Sequence, residues 1–267
     1  MAKCVNTCES AMPSNGWQPQ SAVKRSFGDG DVREDSRMSN SLRRSGITRV
    51  FAVTLWVLAQ VAVLFGAAGR LDLPRAWLFA VVLMGCFLIG AIVVVRRAPE
   101  IVNQRGEKKP NVRWWDRLFL AGYVPLVFAL PLVAGLDVGR FHWSSLGPFS
   151  AVVGVVLHLL AGALLAWAMM TNPHFETMVR IQHDRSHQVV TSGPYRFIRH
   201  PGYVAGIALS AAVPLIVGSA WALAPAAMIA VLYVLRTTRE DATLRHHLPG
   251  YHHYTTQTKH RLLPLVW

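Results

Sequence analysis

Arg236 and Glu240 stand four residues apart, a spacing that places both on one face of a helix. They follow directly on an uncharged stretch, so the pair sits where an apolar helix meets water. A charged pair in that place is more notable than one on the surface of a soluble helix. As a plain surface salt bridge the pair would contribute at most about 1 kcal/mol. A second group lies on the other side of the same stretch. Ser192-Gly193-Pro194-Tyr195 has the composition of a turn, and His200-Pro201 then opens a helix, where proline suits the first position. The N–H groups and dipole at that helix start favour a carboxylate or phosphate; the plainer reading is a loop-to-helix junction with interfacial Arg and Tyr anchors. Nine of the eleven histidines fall in residues 171–202 and 236–267. His183 and His187 have helical spacing, and His246-His247 and His252-His253 are adjacent pairs, but no H-E-x-x-H helix and no cysteine pair accompanies them, so no metal site is expected. The sequence also holds no G-x-G-x-x-G, Walker or G-x-S-x-G motif, which argues against a Rossmann-type nucleotide site or a hydrolase elbow.

The elements that must position these residues are apolar. Residues 50–69 and 76–95 carry no charge, and each is long enough to cross a hydrocarbon core of about 30 Å. Residues 118–136, with Pro125 and Pro131 inside, and 147–170 supply a third and a fourth run; proline is tolerated where neighbouring helices satisfy the freed carbonyls. Residues 203–235 are uncharged and too long for one span. Pro214, Gly218, Ser219 and Pro225 in the middle predict a helical hairpin turning near Gly218-Ser219, with arms of about 24 Å that tilt or stop short of a full crossing. The hairpin would bring the inner ends of the two polar segments together. His158 is the only ionisable residue within these runs, and a hydrogen bond between helices is its expected role.

Composition agrees with this organisation. The chain has 267 residues, 52% hydrophobic and only 15% charged, with a net charge of +13. So apolar a chain is not disordered through most of its length, and three cysteines, two of them in the polar leader, do not make a disulfide scaffold. With six helices and a cytoplasmic amino terminus, 24 of the 27 Lys and Arg residues fall on the cytoplasmic side, leaving Arg70, Arg75 and Arg140 outside. That asymmetry matches the positive-inside rule and accounts for the basic charge through anionic lipid headgroups, so no nucleic-acid partner is expected. Residues 1–48 read as a disordered polar leader; Glu9, Asp29, Asp31, Glu34 and Asp35 argue against a transit peptide, and Met38 is an alternative start.

From these residues a family resemblance follows. His187-Gln188-Val189-Val190-Thr191-Ser192-Gly193-Pro194-Tyr195, then Arg199-His200-Pro201-Gly202-Tyr203 with Gly206, a hairpin, and then Arg236, Glu240-Asp241, Leu244, Pro249-Gly250-Tyr251, Tyr254, Arg261-Leu262-Leu263-Pro264 and Trp267 resemble the integral-membrane methyltransferases of the isoprenylcysteine carboxyl methyltransferase type, in their bacterial form. The resemblance is strong over about residues 172–267 and extends weakly back to about 114. It implies S-adenosylmethionine as donor, held by Gln182, His187, Gln188, Val189, Val190, Tyr195, His200, Pro201, Gly202, Tyr203 and Glu240. It implies that Arg236 contacts the acceptor and acts with Glu240 in catalysis. Asp241 stands where many members have a second Glu, so less is expected of it than of Glu240.

The combined expectation is an all-α integral membrane protein with five to six transmembrane helices, the last two a hairpin, and a cytoplasmic cofactor pocket. Residues 1–48 are leader, 49–170 hold four transmembrane helices, and 171–267 form the catalytic region. The expected activity is methylation of a lipid-like acceptor drawn from the bilayer of a bacterial inner membrane, foremost an isoprenylcysteine-like carboxylate. A phospholipid amine, a nicotinamide-dependent reductase resembling the sterol reductases, and a non-enzymatic membrane protein are the alternatives. The sequence leaves the oligomeric state open.

Overall fold

A computed structural model of the chain describes residues 41–107, 112–180, 182, 186–264 and 267. Contacts divide the chain into Met1–Met38 and Ser39–Trp267. The first unit, and with it the expected leader up to residue 40, lies outside the described residues, as does His183.

Every regular element among the described residues is helical: α1 (Arg44–Ala68), α2 (Pro74–Arg97), α3 (Pro99–Arg105), α4 (Trp114–Gly135), α5 (Pro148–Thr171), α6 (Pro201–Val217), α7 (Leu223–His247) and α8 (Tyr251–Gln257). Prolines open α2, α3, α5 and α6, where a missing N–H costs no hydrogen bond. α1 begins at Arg44, so its first turn belongs to the stretch read as leader. α1, α2, α4 with its extension to Phe141, and α5 are long and apolar enough to cross a membrane. The hairpin arms are the shorter elements that the sequence predicts: α6 has 17 residues, about 25 Å, and α7 turns polar at Arg236.

The long helices carry apolar residues on the outside. Phe51, Leu55 and Leu58 on α1, Val81, Leu88, Ile89 and Ile92 on α2, and Val152, Val156, Leu159 and Leu160 on α5 are all exposed. A water-soluble monomer does not show patches of this size; in a bilayer they face lipid. This is a multi-pass membrane protein. The interior is built from fully buried Leu64, Phe79, Ile216 and Ile229, contributed by α1, α2, α6 and α7. Helices approach closely at glycines. A Cβ on Gly135 would lie 2.3 Å from the Leu64 carbonyl oxygen, and one on Gly154 would lie 2.8 Å from the Ile216 backbone nitrogen.

The helix ends form two polar groups. At one end, Arg75 donates to the carbonyls of Leu146 (2.7 Å), Leu215 (2.5 Å) and Ile216 (2.8 Å), satisfying acceptors that a helix terminus leaves open. Gly218, at φ +97°, ends α6, and Ser219 donates to the buried Asp137 carboxylate at 2.5 Å. Asp137 belongs to a π-helical turn, Leu136–Phe141, that prolongs α4. The chain alternates between this end and the opposite one, where the polar segments after α5 and in the second half of α7 meet the starts of α1 and α4. Arg43 N–H there donates to Asn103 Oδ1 at 2.8 Å, and Val179 N–H to Asp116 Oδ2 at 2.7 Å.

Candidate active site

The second polar end encloses a partly open cleft of about 120 Å³. Gln182, His187, Gln188, Val189 and Val190 line one part of it, and Tyr195, His200, Pro201, Gly202, Tyr203 and Glu240 the rest. The eleven residues singled out for a donor therefore share one cavity. Arg236 does not line it; its side chain lies behind the Tyr203 ring, whose centroid is 5.0 Å from its Cζ.

Each wall has a local cause. The segment after α5 is folded on itself by side chains: His174 N–H donates to Asn172 Oδ1 at 2.8 Å, Gln182 Nε2 to the His174 carbonyl at 2.8 Å, and the His174 and His187 rings lie 4.5 Å apart. His174 went unremarked in the sequence, where it stands outside the quoted motif. Gly193 has φ +58°, a conformation costly for other residues, and a Cβ there would sit 2.7 Å from Thr171 Oγ1. This turn buries Tyr195, whose hydroxyl receives a hydrogen bond from Asn172 at 3.2 Å. Burial raises the Tyr195 phenol well above its ordinary range, so it stays neutral. His200 caps α6 and stacks on Tyr203 at 5.4 Å. The N–H of Gly202 then points from the first turn with no helical acceptor, and a Cβ at Gly202 would come within 2.8 Å of the Phe175 ring.

The carboxy-terminal residues hold the other side. Arg199 and His200 N–H groups donate to the carbonyls of His260 and Arg261, both at 3.0 Å. Tyr254 donates to the Tyr195 carbonyl at 2.6 Å. Asp241, almost wholly buried, gathers Arg199 at 2.9 Å, Arg245 at 3.2 Å, Arg261 at 3.3 Å and the Tyr251 hydroxyl at 3.0 Å. Burial alone would raise its carboxyl; the His200 ring, with Nε2 3.7 Å away, and the Arg199 charge outweigh it and hold the group down at about 2. The sequence reading gave Asp241 less weight than Glu240, yet it is the hub that joins α7, the α6 start and the carboxy-terminal tail.

Two further expectations are corrected. Arg236 and Glu240 share a helix but not a salt bridge. Arg236 is sandwiched against Phe119, with its Cζ 4.3 Å from the ring centroid, and it pairs with Asp116 at 2.9 Å and the Thr177 carbonyl at 2.8 Å. Glu240 instead accepts from the Tyr203 hydroxyl. Asp116 lies just ahead of the uncharged run 118–136; α4 starts at Trp114 and carries Asp116, fully buried, in its first turn. His158 is buried, but its Nδ1 finds no hydrogen-bond partner among the described residues, so the expected link between helices is not made there. No cluster of three or more His, Cys, Asp or Glu side chains suited to a metal occurs among the described residues.

Residues 153–246 match the isoprenylcysteine carboxyl methyltransferase (ICMT) family. The span runs from α5 almost to the end of α7 and so includes most of the cleft. A probable protein-S-isoprenylcysteine O-methyltransferase of Oryza sativa subsp. indica is 25% identical over 136 residues, covering 48% of this chain and 63% of the rice protein. Its counterpart in subsp. japonica matches to the same extent. The chain thus spans under two thirds of the length of these curated relatives.

Proposed function

We propose that this chain, whose residues 153–246 match the isoprenylcysteine carboxyl methyltransferase family, transfers a methyl group from S-adenosylmethionine to a carboxylate on a prenylated or similarly lipid-like acceptor. The observation that carries the reading is the convergence of the eleven donor residues on one cleft, with Arg236 one ring behind it.

The donor set fits that cofactor. The Gly202 N–H and the α6 dipole suit its carboxylate, Glu240 suits its ammonium or ribose hydroxyls, and the neutral faces of Tyr195 and Tyr203 suit an adenine or a cation. When bound, S-adenosylmethionine supplies an electrophilic methyl group on a sulfonium. A carboxylate acceptor needs no base, because its oxygen is already the nucleophile. The protein's contribution is then alignment, which is worth a large part of such a barrier. Tyr203 is the mechanical link, since it lines the cleft, bonds Glu240 and covers the Arg236 guanidinium. Arg236 is held by Asp116 and Thr177 behind the Tyr203 ring, so its guanidinium is pre-oriented for an acceptor that approaches from the far side of that ring. The acceptor enters from the bilayer in which it is dissolved. The positive-inside asymmetry supports a cytoplasmic placement for this end of the molecule.

Labelled-donor binding in detergent tests the site. Glu240→Ala and His200→Ala are expected to abolish it while leaving the protein monodisperse; binding at the wild-type level in both variants would refute the assignment.

A further inference from the structure

His174 lines the cleft, yet it is not among the residues assigned above to the donor. A turn sets it there. Phe175 N–H donates to the Asn172 carbonyl at 3.1 Å, with Pro173 at the turn position that its fixed φ suits. The Asn172 side chain accepts the His174 N–H at 2.8 Å, a local bond that asparagine favours in turns. Asn172 also donates to the Tyr195 hydroxyl at 3.2 Å, so the turn is tied to the part of the cleft that Tyr195 lines.

The His174 ring touches three of the donor residues at once. Its Nε2 lies 3.4 Å from the Gln188 backbone nitrogen, its Nδ1 3.3 Å from Gln182 Oε1, and its centroid 4.5 Å from that of the His187 ring. The first contact fixes the proton. A backbone N–H can only donate, so Nε2 is bare, and a neutral imidazole then carries its proton on Nδ1. The second contact requires the same form. Gln182 Nε2 donates to the His174 carbonyl at 2.8 Å, which turns the amide so that Oε1 is the atom facing Nδ1. The bonds therefore run in one direction: Gln188 N–H to Nε2, Nδ1–H to Gln182 Oε1, and Gln182 Nε2 back to the His174 backbone. His187 N–H closes the same fold on the Gln182 carbonyl at 3.3 Å. Gln182 is buried, so water does not readily replace a bond that it loses.

We propose that His174 is a positioning residue for the methyl donor, its neutral Nδ1–H ring fixing Gln182 and Gln188 at the cleft before the donor arrives. This rests on the methyl-transfer reading above. The effect falls on donor affinity, because residues already ordered need not be ordered on binding.

The test uses full-length protein in detergent, equilibrium binding of labelled S-adenosylmethionine, and hydrogen exchange at the Gln188 amide in donor-free protein. His174→Phe keeps a ring beside His187 and removes both nitrogens. It should weaken donor binding by about five- to a hundredfold, the worth of two neutral hydrogen bonds, and speed exchange at Gln188. His174→Asn keeps a donor toward Gln182, and His174→Gln keeps an acceptor for the Gln188 N–H. Each should lose only about two- to tenfold in affinity, and exchange at Gln188 should be fast in the first and slow in the second. Where His174→Phe does not fold, this contrast between Asn and Gln decides. Wild-type affinity in His174→Phe, or in both of the other variants, would overturn the proposal. So would an equal loss in all three that follows a falling thermal midpoint, the mark of a merely structural residue. If wild type binds the donor, Glu240→Ala abolishes binding and the His174 variants bind normally, this proposal alone falls. If the variants behave as expected but wild type transfers no methyl group, His174 keeps its role and the methyltransferase reading falls. If wild type binds no S-adenosylmethionine, both fall.

Discussion

Replacing Asp241 with asparagine changes one oxygen to nitrogen and removes a charge on which three arginines converge. Arg199 feels it most, because its side chain is 4% exposed and that of Asp241 1%. Water has almost no access to make good the loss. Breaking a buried ion pair by neutralising one partner costs about 3–5 kcal/mol. For a chain of this size each kcal/mol is worth about 2–4 °C, so the midpoint of thermal unfolding in detergent should fall by about 6–20 °C. The damage should be directional, since Asp241 ties Arg261 and Tyr251 of the tail to Arg199 beside the cleft, and donor binding should weaken together with stability. The pH dependence follows from the depressed carboxyl. Asp241 contributes its full stabilisation above the ordinary carboxylate range, and the contribution is lost as pH falls through about 2. The Asp241→Asn protein should lack that step. Arg239→Ala, on the exposed face of the same helix, is the control and should stay within about 0.5 kcal/mol of wild type. An Asp241→Asn midpoint equal to that of the control would refute the hub.

Other perturbations separate architecture from site. Tyr203→Phe removes the hydroxyl that holds Glu240 and should raise the KM for donor several-fold with little change in midpoint, read by steady-state kinetics and a melt. Gly193→Ala should cost at least about 1–2 kcal/mol from its left-handed backbone, with more from the clash with Thr171, seen as a lower midpoint and weaker donor binding. Arg75→Met removes the donor to three carbonyls at the end far from the cleft; it should destabilise by more than about 2 kcal/mol while leaving the KM for donor unchanged in the protein that remains folded.

The fold was legible where the bilayer dictates it. A spanning segment has to satisfy its own backbone, so uncharged runs of the right length can only be helices, and Pro214 with Gly218-Ser219 marked the hairpin turn. The cleft was legible as far as its residues are close in sequence to a motif, as His187 to Tyr203 are. Pairings across long stretches were not. Asp116 reaches Arg236 from another helix, and Arg75 reaches the end of α6 from the start of α2. Nothing in either local sequence announces the partner. The Arg236–Glu240 spacing gave the right face and the wrong pair, because Phe119 and Tyr203 enclose the guanidinium and turn it toward α4. Asp241 looked like a shortened substitute and is the most heavily paired carboxylate at the site.

The central claim is that a donor held in this cleft methylates a carboxylate dissolved in the membrane. Its most direct test is to supply methyl-labelled S-adenosylmethionine to membranes with and without the protein and to treat the lipid fraction with base. The account predicts label that depends on the protein, is released by base as methanol, and is absent with Glu240→Ala. Base-stable label, or label undiminished in that variant, would contradict it.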